Sequence, residues 1–348
     1  MRVLVAMSGG VDSSVAAARC LEAGHETVGV TMKLWGGPSD SGCCSVADVD
    51  DARRVADRLG LDHHVFNFGA EFTDHVIEPY LLEHVAGRTP NPCIECNRHL
   101  KFDRLFERAA ALGFDAVATG HHARVVDRGG GRLGLARGAD RAKDQSYVLS
   151  MLDQPTLART MFPVGDSTKD QVRDEAHRLG LRTADKPDSQ DVCFITSAEG
   201  RSGFLTDRIA VTPAAVVDDE GHVVGAVDAV ELVTIGQRRG LGLPGGTPPR
   251  FVTDVDPGSG SRPARVTIGR REDLLSDVTP IGPTTWVDRP ATGPVLAQTS
   301  AHGEPAAGAL TAGELRWHER RPRVAPGQTV AFYDPADPDL VVGAAIAD

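Results

Sequence analysis

Val3-Leu4-Val5-Ala6-Met7-Ser8-Gly9-Gly10-Val11-Asp12-Ser13-Ser14 reads as a buried strand, a tight polar turn and the first turn of a helix. The apolar run ends at two glycines flanked by hydroxyl residues. Val11, Val15, Ala18 and Leu21 then recur at helical spacing, and Gly24 supplies the stop. A turn of this kind binds phosphate. Its backbone N–H groups and the positive helix end point the same way, and glycine lets an anion approach the backbone closely.

The string Ser8-Gly9-Gly10-Val11-Asp12-Ser13 resembles the pyrophosphate-binding loop of the PP-loop ATPases, which cleave ATP to AMP and pyrophosphate. It is neither a Walker A loop nor a G-x-G-x-x-G turn, because no Gly-Lys-Ser/Thr follows and the glycine spacing differs.

Working outward, strands and helices alternate through the first half. Glu26 to Leu34 and His63 to Phe68 read as strands. Val46 to Leu59 reads as an amphipathic helix closed by Gly60. Phe72 to Val85 reads as helix with a kink or break at Pro79, and a further helix starts near Asn97 and ends at Gly113. Ala116 to Thr119 is a short strand running into Gly120-His121-His122. Arg132 to Arg137 suggests a hairpin arm, and Thr168-Lys169-Asp170-Gln171 is a capping box that opens a helix stopped at Gly180. Alternation of this kind predicts an α/β fold with a doubly wound parallel sheet, with ligands at the carboxyl ends of its strands.

After about Ser197 the texture changes to glycine, proline and β-branched residues. Ala215 to Asp218 and Glu220 to Val224 form a hairpin signal. Short strands are expected at Val230 to Ile235, Arg250 to Val255, Ala264 to Ile268, Val295 to Gln298, Thr329 to Phe332 and Leu340 to Ile346. The expected division is a nucleotide-binding catalytic domain over 1–197, a small central β-rich domain over 198–268 and a C-terminal β-barrel-like domain over 269–348.

The chain has 348 residues, 41% of them hydrophobic, enough for sizeable cores, but only 5% aromatic, so aliphatic side chains must do most of the packing. No signal peptide or transmembrane run is visible, which predicts a soluble cytoplasmic protein without a membrane partner. The net charge of −11 argues against nucleic acid as a partner unless a local basic face exists. Six cysteines, in a reducing compartment, point to catalytic, redox or metal chemistry rather than structural disulfides. Cys20 lies inside the first helix and reads as packing. Cys93-Ile94-Glu95-Cys96 opens a helix, where the helix end stabilises a thiolate. A redox pair, half of a zinc site and a nucleophile all fit that pattern. The adjacent pair Cys43-Cys44 is a poor complement for zinc.

The segments Thr89-Pro90-Asn91-Pro92-Cys93-Ile94-Glu95-Cys96-Asn97 and Asp188-Ser189-Gln190-Asp191-Val192-Cys193-Phe194, added to the Ser-Gly-Gly loop, resemble the bacterial tRNA-uridine 2-sulfurtransferases, also called tRNA-specific 2-thiouridylases. The likeness extends through Gly120-His121-His122-Ala123-Arg124, Lys143-Asp144-Gln145-Ser146-Tyr147 and Thr234-Ile235-Gly236-Gln237-Arg238-Arg239-Gly240-Leu241, covering residues 1 to about 270. It implies ATP-dependent 2-thiolation of the wobble uridine in tRNAs for Lys, Glu and Gln. The uridine, single-stranded in the anticodon loop, suits a flipped-base mechanism. In that pattern Cys193 carries a persulfide, and Cys96 is the second nucleophile, which helps release sulfur and can end in a disulfide with Cys193. The resemblance places nucleotide contacts at Ala6, Met7, Ser8, Gly9, Gly10, Val11, Asp12, Ser13, Met32 and Gly120, with Asp12 helping to place Mg²⁺. Core packing is the competing reading of Met32. Contacts with tRNA fall at His121, Lys143, Asp144, Gln145 and Gln328, and a sulfur-donor protein is implied as partner. Arg98, Lys101, Arg238 and Arg239 are further candidates for phosphate contacts.

The chain departs from the family pattern in two places. Cys93 stands where some members have aspartate, which leaves Cys93, Cys96 and Cys193 able to converge on a 4Fe–4S cluster with one open iron for hydrosulfide. Thr299-Ser300-Ala301-His302 stands where the family tends to have a basic-aromatic pair. A PP-loop amide-forming ligase, which would need neither Cys96 nor Cys193, is the alternative enzyme, and a non-catalytic tRNA- or nucleotide-binding protein is the alternative of another class.

Overall fold

The computed structural model describes residues 1–35, 45–188, 192–195, 199–244 and 248–348. Cys43, Cys44, Ser189, Gln190 and Asp191 lie outside the described residues. A five-stranded, all-parallel sheet has the order β3-β2-β1-β4-β7, from β1 (Arg2–Ala6), β2 (Glu26–Lys33), β3 (His63–Asn67), β4 (Ala116–Thr119) and β7 (Thr160–Met161). Consecutive side chains of β1 enter different cores. Leu4 joins the cluster with Val30, Val117 and Phe106, while Val3 and Val5 join the one with Val15, Ala56 and Ala118. Both faces are therefore covered, as a parallel sheet requires. Val3, Leu4 and Val5 are fully buried, each contributing about 1.5–3 kcal/mol by its transfer from water.

Helix α1 (Val11–Glu22) follows β1 directly, and helix α2 (Val46–Leu59) is capped by Ser45 through a reciprocal box with Asp48 and ends at Gly60 in the left-handed conformation. The capping box at Thr168 forms as expected and opens helix Lys169–Arg178.

Two helices differ from the sequence expectation. Around Pro79 the chain is helical over 69–85, and the stretch Thr73–Ile77 runs as π-helix just before the proline. Pro79 has no N–H to give to the carbonyl of His75, and the wider register takes up that loss instead of a break. The helix expected from Asn97 begins earlier, at Pro92. Asn91 accepts the Cys93 N–H at 3.1 Å, and a π-helical stretch Cys96–Arg104 leads into Leu105–Ala111.

The rest is β-rich. A four-stranded sheet β10-β11-β8-β9 uses β8 (Ala214–Val217), β9 (Val223–Val227), β10 (Phe251–Asp256) and β11 (Arg265–Gly269). Val230 to Ile235, expected as a strand, contains instead a 3₁₀ turn at Val230–Leu232. That turn lets Val230 and Val233 enter the same core, and it points Glu231 at the Thr212 N–H, 3.0 Å away.

The third sheet has the path β12-β16-β15-β14-β17-β18-β6-β5. It is formed by β5 (Ala123–Asp127), β6 (Leu133–Arg137), β12 (Leu275–Pro280), β14 (Gly293–Gln298), β15 (Ala306–Thr311), β16 (Glu314–Pro322), β17 (Thr329–Tyr333) and β18 (Leu340–Ile346), with β13 (Thr285–Trp286) beside β18. A bridge from Ile281 to Ala347 brings the end of β12 back to β18, so the strands curl as a barrel does. The expected hairpin arm is β5–β6, and it extends this C-terminal sheet through the pairing of β6 with β18.

Candidate active site

The glycine turn lies at the carboxyl edge of the parallel sheet. Gly9 has φ +73°, and a side chain there would run into the Asp48 carbonyl of α2. Gly10 is the N-cap of α1 and offers no side-chain cap, so the first N–H groups of the helix are left for a ligand. Ser13 and Ser14 both donate to the Gly10 carbonyl, at 3.1 and 2.8 Å, and the Ser8 N–H donates to Ser13 Oγ at 3.2 Å. Hydroxyls thus fold the turn onto the helix start.

Asp12, in the first turn of α1, accepts from Lys169 Nζ at 2.7 and 2.9 Å and lies 3.1 Å from His122 Nε2. Burial raises the pKa of its carboxyl, but His122 and Lys169 outweigh burial and hold it below the ordinary value. Lys169 reaches on to Asp188 at 2.8 Å, which also pairs with Lys143 at 2.7 Å and Arg173 at 3.0 Å. For Asp188 as well, burial raises and the two lysines lower, with a strong net depression. One chain of charges therefore links Asp12 of the glycine turn to Lys143 and to the segment that leads into Cys193. Lys169, Lys186 and His122 are the residues that sequence reasoning did not single out. Their signals were present in the capping box at Thr168, the stretch Lys186-Pro187-Asp188 and the Gly-His-His run, but pairing across more than a hundred positions is not a local pattern.

Gly120 directly follows β4 and lies against α1. A Cβ there would lie 2.5 Å from the Ser13 nitrogen and 2.7 Å from the Asp12 carbonyl carbon. Gly120→Ala therefore pushes the start of α1 off its position. In the folded variant, ATP affinity should fall at least about tenfold, equivalent to about 1.4 kcal/mol, and titration calorimetry measures it directly. Unchanged affinity would place the nucleotide elsewhere.

His121 is buried among Phe102 and Phe162, with Nδ1 2.7 Å from Thr119 Oγ1, and burial holds it well below its ordinary pKa and so neutral. Gln145 accepts the His122 N–H at 2.9 Å, and its own N–H donates to the His122 carbonyl at 3.0 Å. Asp144 turns inward to Arg137, at 2.6 Å. Of the Lys143-Asp144-Gln145 segment, the Lys143 side chain is the one at the surface, 42% exposed. Gln328, expected at tRNA, donates to the Thr89 carbonyl, and the Thr89 N–H donates to Pro326 at 2.7 Å. The C-terminal turn thereby grips the loop that enters the Cys93 helix. Met32 lies on β2 and packs, half-buried, against the larger core, a position compatible with both readings given for it.

Cys96 is buried and belongs to that same core, and Cys193, half-buried, packs against it. Phe194 anchors the second segment among Phe72, Tyr80 and Phe204, with ring centroids 5.0–5.7 Å apart. Among the described residues no three His, Cys, Asp or Glu side chains form a group that could hold a metal ion. Cys20 is buried in α1, and burial pushes its thiol up to about 11, in keeping with a packing role.

A parallel α/β sheet with an SGGxDS turn at the N-terminus of its first helix defines an ATP-binding PP-loop domain, and residues 1–197 match the family described as the tRNA methyl transferase HUP domain. Residues 202–271 match the tRNA methyl transferase PRC-barrel domain. Proteins called tRNA-specific 2-thiouridylase MnmA are similar over the whole length. The one from Mycobacterium ulcerans is 46% identical over 361 residues, spanning 99% of this chain and 97% of its own. The one from Mycolicibacterium paratuberculosis is 48% identical, at 99% and 98%. The one from Acidothermus cellulolyticus is 46% identical, at 100% and 98%. The chain belongs to the tRNA-specific 2-thiouridylase family.

Proposed function

We propose that this protein uses ATP to replace the C2 oxygen of the wobble uridine in tRNA with sulfur. The observation that carries this reading is the full-length identity of 46–48% to thiouridylases, in a chain that retains the phosphate turn and both expected cysteines. The family descriptions say methyl transferase, but a PP-loop supplies adenylation, and adenylation turns a carbonyl oxygen into a leaving group for sulfur.

In the first step the uridine O2 attacks the α-phosphorus of ATP, the bond to the β-phosphate oxygen breaks, and pyrophosphate leaves into the N–H groups of the Ser8–Ser13 turn. The terminal sulfur of a Cys193 persulfide then attacks C2. The Cys96 thiolate attacks the Cys193 sulfur, the persulfide S–S bond breaks, and its electron pair forms C2=S as AMP departs. A Cys96–Cys193 disulfide remains, which a dithiol reduces before a sulfur-donor protein reloads Cys193. Mg²⁺ would arrive on the ATP phosphates and neutralise them. Asp12 is a partial fit for it, since both carboxylate oxygens already accept from Lys169. Lys143 is the residue of its segment proposed to meet tRNA phosphate, with Asp144 and Gln145 shaping the segment behind it. His121, neutral beside the nucleotide site, and Gln328, through the loop it grips, are proposed to act at the same face. The three proposed domains divide this work into activation over 1–197 and tRNA docking over 198–268 and 269–348. Among the described residues no helix is long and apolar enough to cross a membrane, and the proposed compartment is the cytoplasm.

Mass spectrometry of nucleosides tests this, on tRNA incubated with the protein, ATP and a sulfur source. The expected product is 2-thiouridine at the wobble position with AMP released in step. Ammonia incorporated into an acid, with tRNA unchanged, would favour an amide-forming ligase. Iron and sulfide analysis of anaerobically purified protein separates the routes: colourless, iron-free, fully active enzyme supports the persulfide, and activity that tracks bound iron overturns it.

A further inference from the structure

Lys186 bridges two elements that the proposed reaction must keep in register. Its Nζ donates to the Gly9 carbonyl at 3.0 Å, to Asp48 at 2.7 Å and to Asp51 at 2.8 Å. Two residues on, Asp188 binds Lys169, Lys143 and Arg173, and five residues beyond that is Cys193.

The Gly9 contact bears directly on anion binding. In a trans peptide the C=O and the following N–H point in opposite directions. Gly9 and Gly10 flank this plane, and glycine puts little steric barrier in the way of its rotation. A cation seated on the Gly9 oxygen turns the Gly10 N–H to the opposite side of the plane. We infer that Lys186 is a positioning residue for the phosphate turn, holding the Gly9–Gly10 peptide in the one orientation that presents its N–H to the nucleotide. It thereby ties the strand of chain that leads to Cys193 to the ATP site. This inference rests on the ATP-dependent reading above.

The Asp48 and Asp51 pairs invite a competing account, in which Lys186 merely balances two carboxylates. The test separates the two. ATP affinity is measured by calorimetry, and KM for ATP and kcat are measured in thiolation, for wild type, Lys186→Met, Lys186→Arg and the double variant Lys186→Met/Asp51→Asn. Positioning predicts that Lys186→Met weakens ATP binding and raises KM about tenfold or more, with a smaller effect on kcat, and that Lys186→Arg recovers most of the loss. The double variant removes one charge of each sign, so it keeps the fold if the single variant does not. Its ATP binding stays weak, because the Gly9 contact is still gone. Wild-type ATP affinity in the double variant, or in a folded Lys186→Met, overturns the inference and leaves the proposed function standing. A wild-type protein that binds no ATP overturns the proposed function itself.

Discussion

Cys193→Ser should lower tRNA thiolation about a thousandfold or more, the scale on which enzymes lose rate with their nucleophile, while ATP affinity stays at the wild-type value. Serine oxygen cannot carry a sulfane sulfur, and Cys193 lies outside the phosphate turn. Cys96→Ser should be equally inactive in turnover but should stall at a different point. With Cys96 absent, the sulfur already bonded to C2 stays joined to Cys193, so the variant accumulates a tRNA–protein adduct that a small thiol cleaves. Denaturing gels with labelled tRNA read the adduct, and added dithiothreitol should restore part of the thiolation in Cys96→Ser and none in Cys193→Ser. Cys96 belongs to the larger hydrophobic core and Cys193 packs against it. Wild-type rates in both variants would refute the roles. Equal rescue by thiol in both would leave Cys96 without a distinct step.

The catalytic half of the molecule was legible because its signals are local. A strand, two glycines and a helix start lie within twelve consecutive residues, and the capping box at Thr168 needs four. Val46 to Leu59 ended where Gly60 allowed a left-handed stop. The less legible parts are those decided by partners distant in sequence. β16 alternates Leu315 and Trp317 inward against Arg316 and His318 outward, yet the charges at 318–323 obscure its β pattern. The hairpin β5–β6 was visible as a hairpin, but nothing near it announces that β6 pairs with β18, two hundred residues away. The π-helical stretches at Thr73–Ile77 and Cys96–Arg104 were hidden for another reason. Their side-chain pattern is helical, and the change of register lies in backbone hydrogen bonds. The candidate site divides the same way. Its glycines and cysteines are motif residues, whereas Lys169 and Asp188 acquire their meaning from one another, and Lys186 from Gly9, Asp48 and Asp51.

Arg137→Ala is expected to give the largest loss of stability. Arg137 is the last residue of β6 and 9% exposed. It donates to Asp144 at 2.6 Å and to Gln298 at 2.8 Å, and its guanidinium lies 3.9 Å from the centre of the Tyr333 ring. Ser146 and Tyr147 complete the junction, Ser146 Oγ lying 3.0 Å from the Tyr333 hydroxyl and Tyr147 donating to the Thr329 carbonyl at 2.9 Å. Removing the guanidinium leaves the Asp144 carboxylate buried without its cation, which costs about 3–5 kcal/mol. The Gly138 N–H and both donors of Ser146 still reach Asp144, which favours the lower end of that range. Arg137→Lys should recover only part, because an ammonium cannot bond Asp144 and Gln298 as a planar fork while stacking on Tyr333. Urea unfolding followed by circular dichroism measures the shift. The same junction holds Lys143-Asp144-Gln145 against the C-terminal sheet, so the folded Arg137→Lys variant should bind tRNA more weakly while its affinity for ATP, whose proposed site lies at the far end of the Asp12–Lys169–Asp188 chain, is preserved. An unfolding midpoint for Arg137→Ala equal to wild type would show that the Gly138 and Ser146 donors alone compensate Asp144, and that the pairing of β6 with β18 holds this region together without the charge.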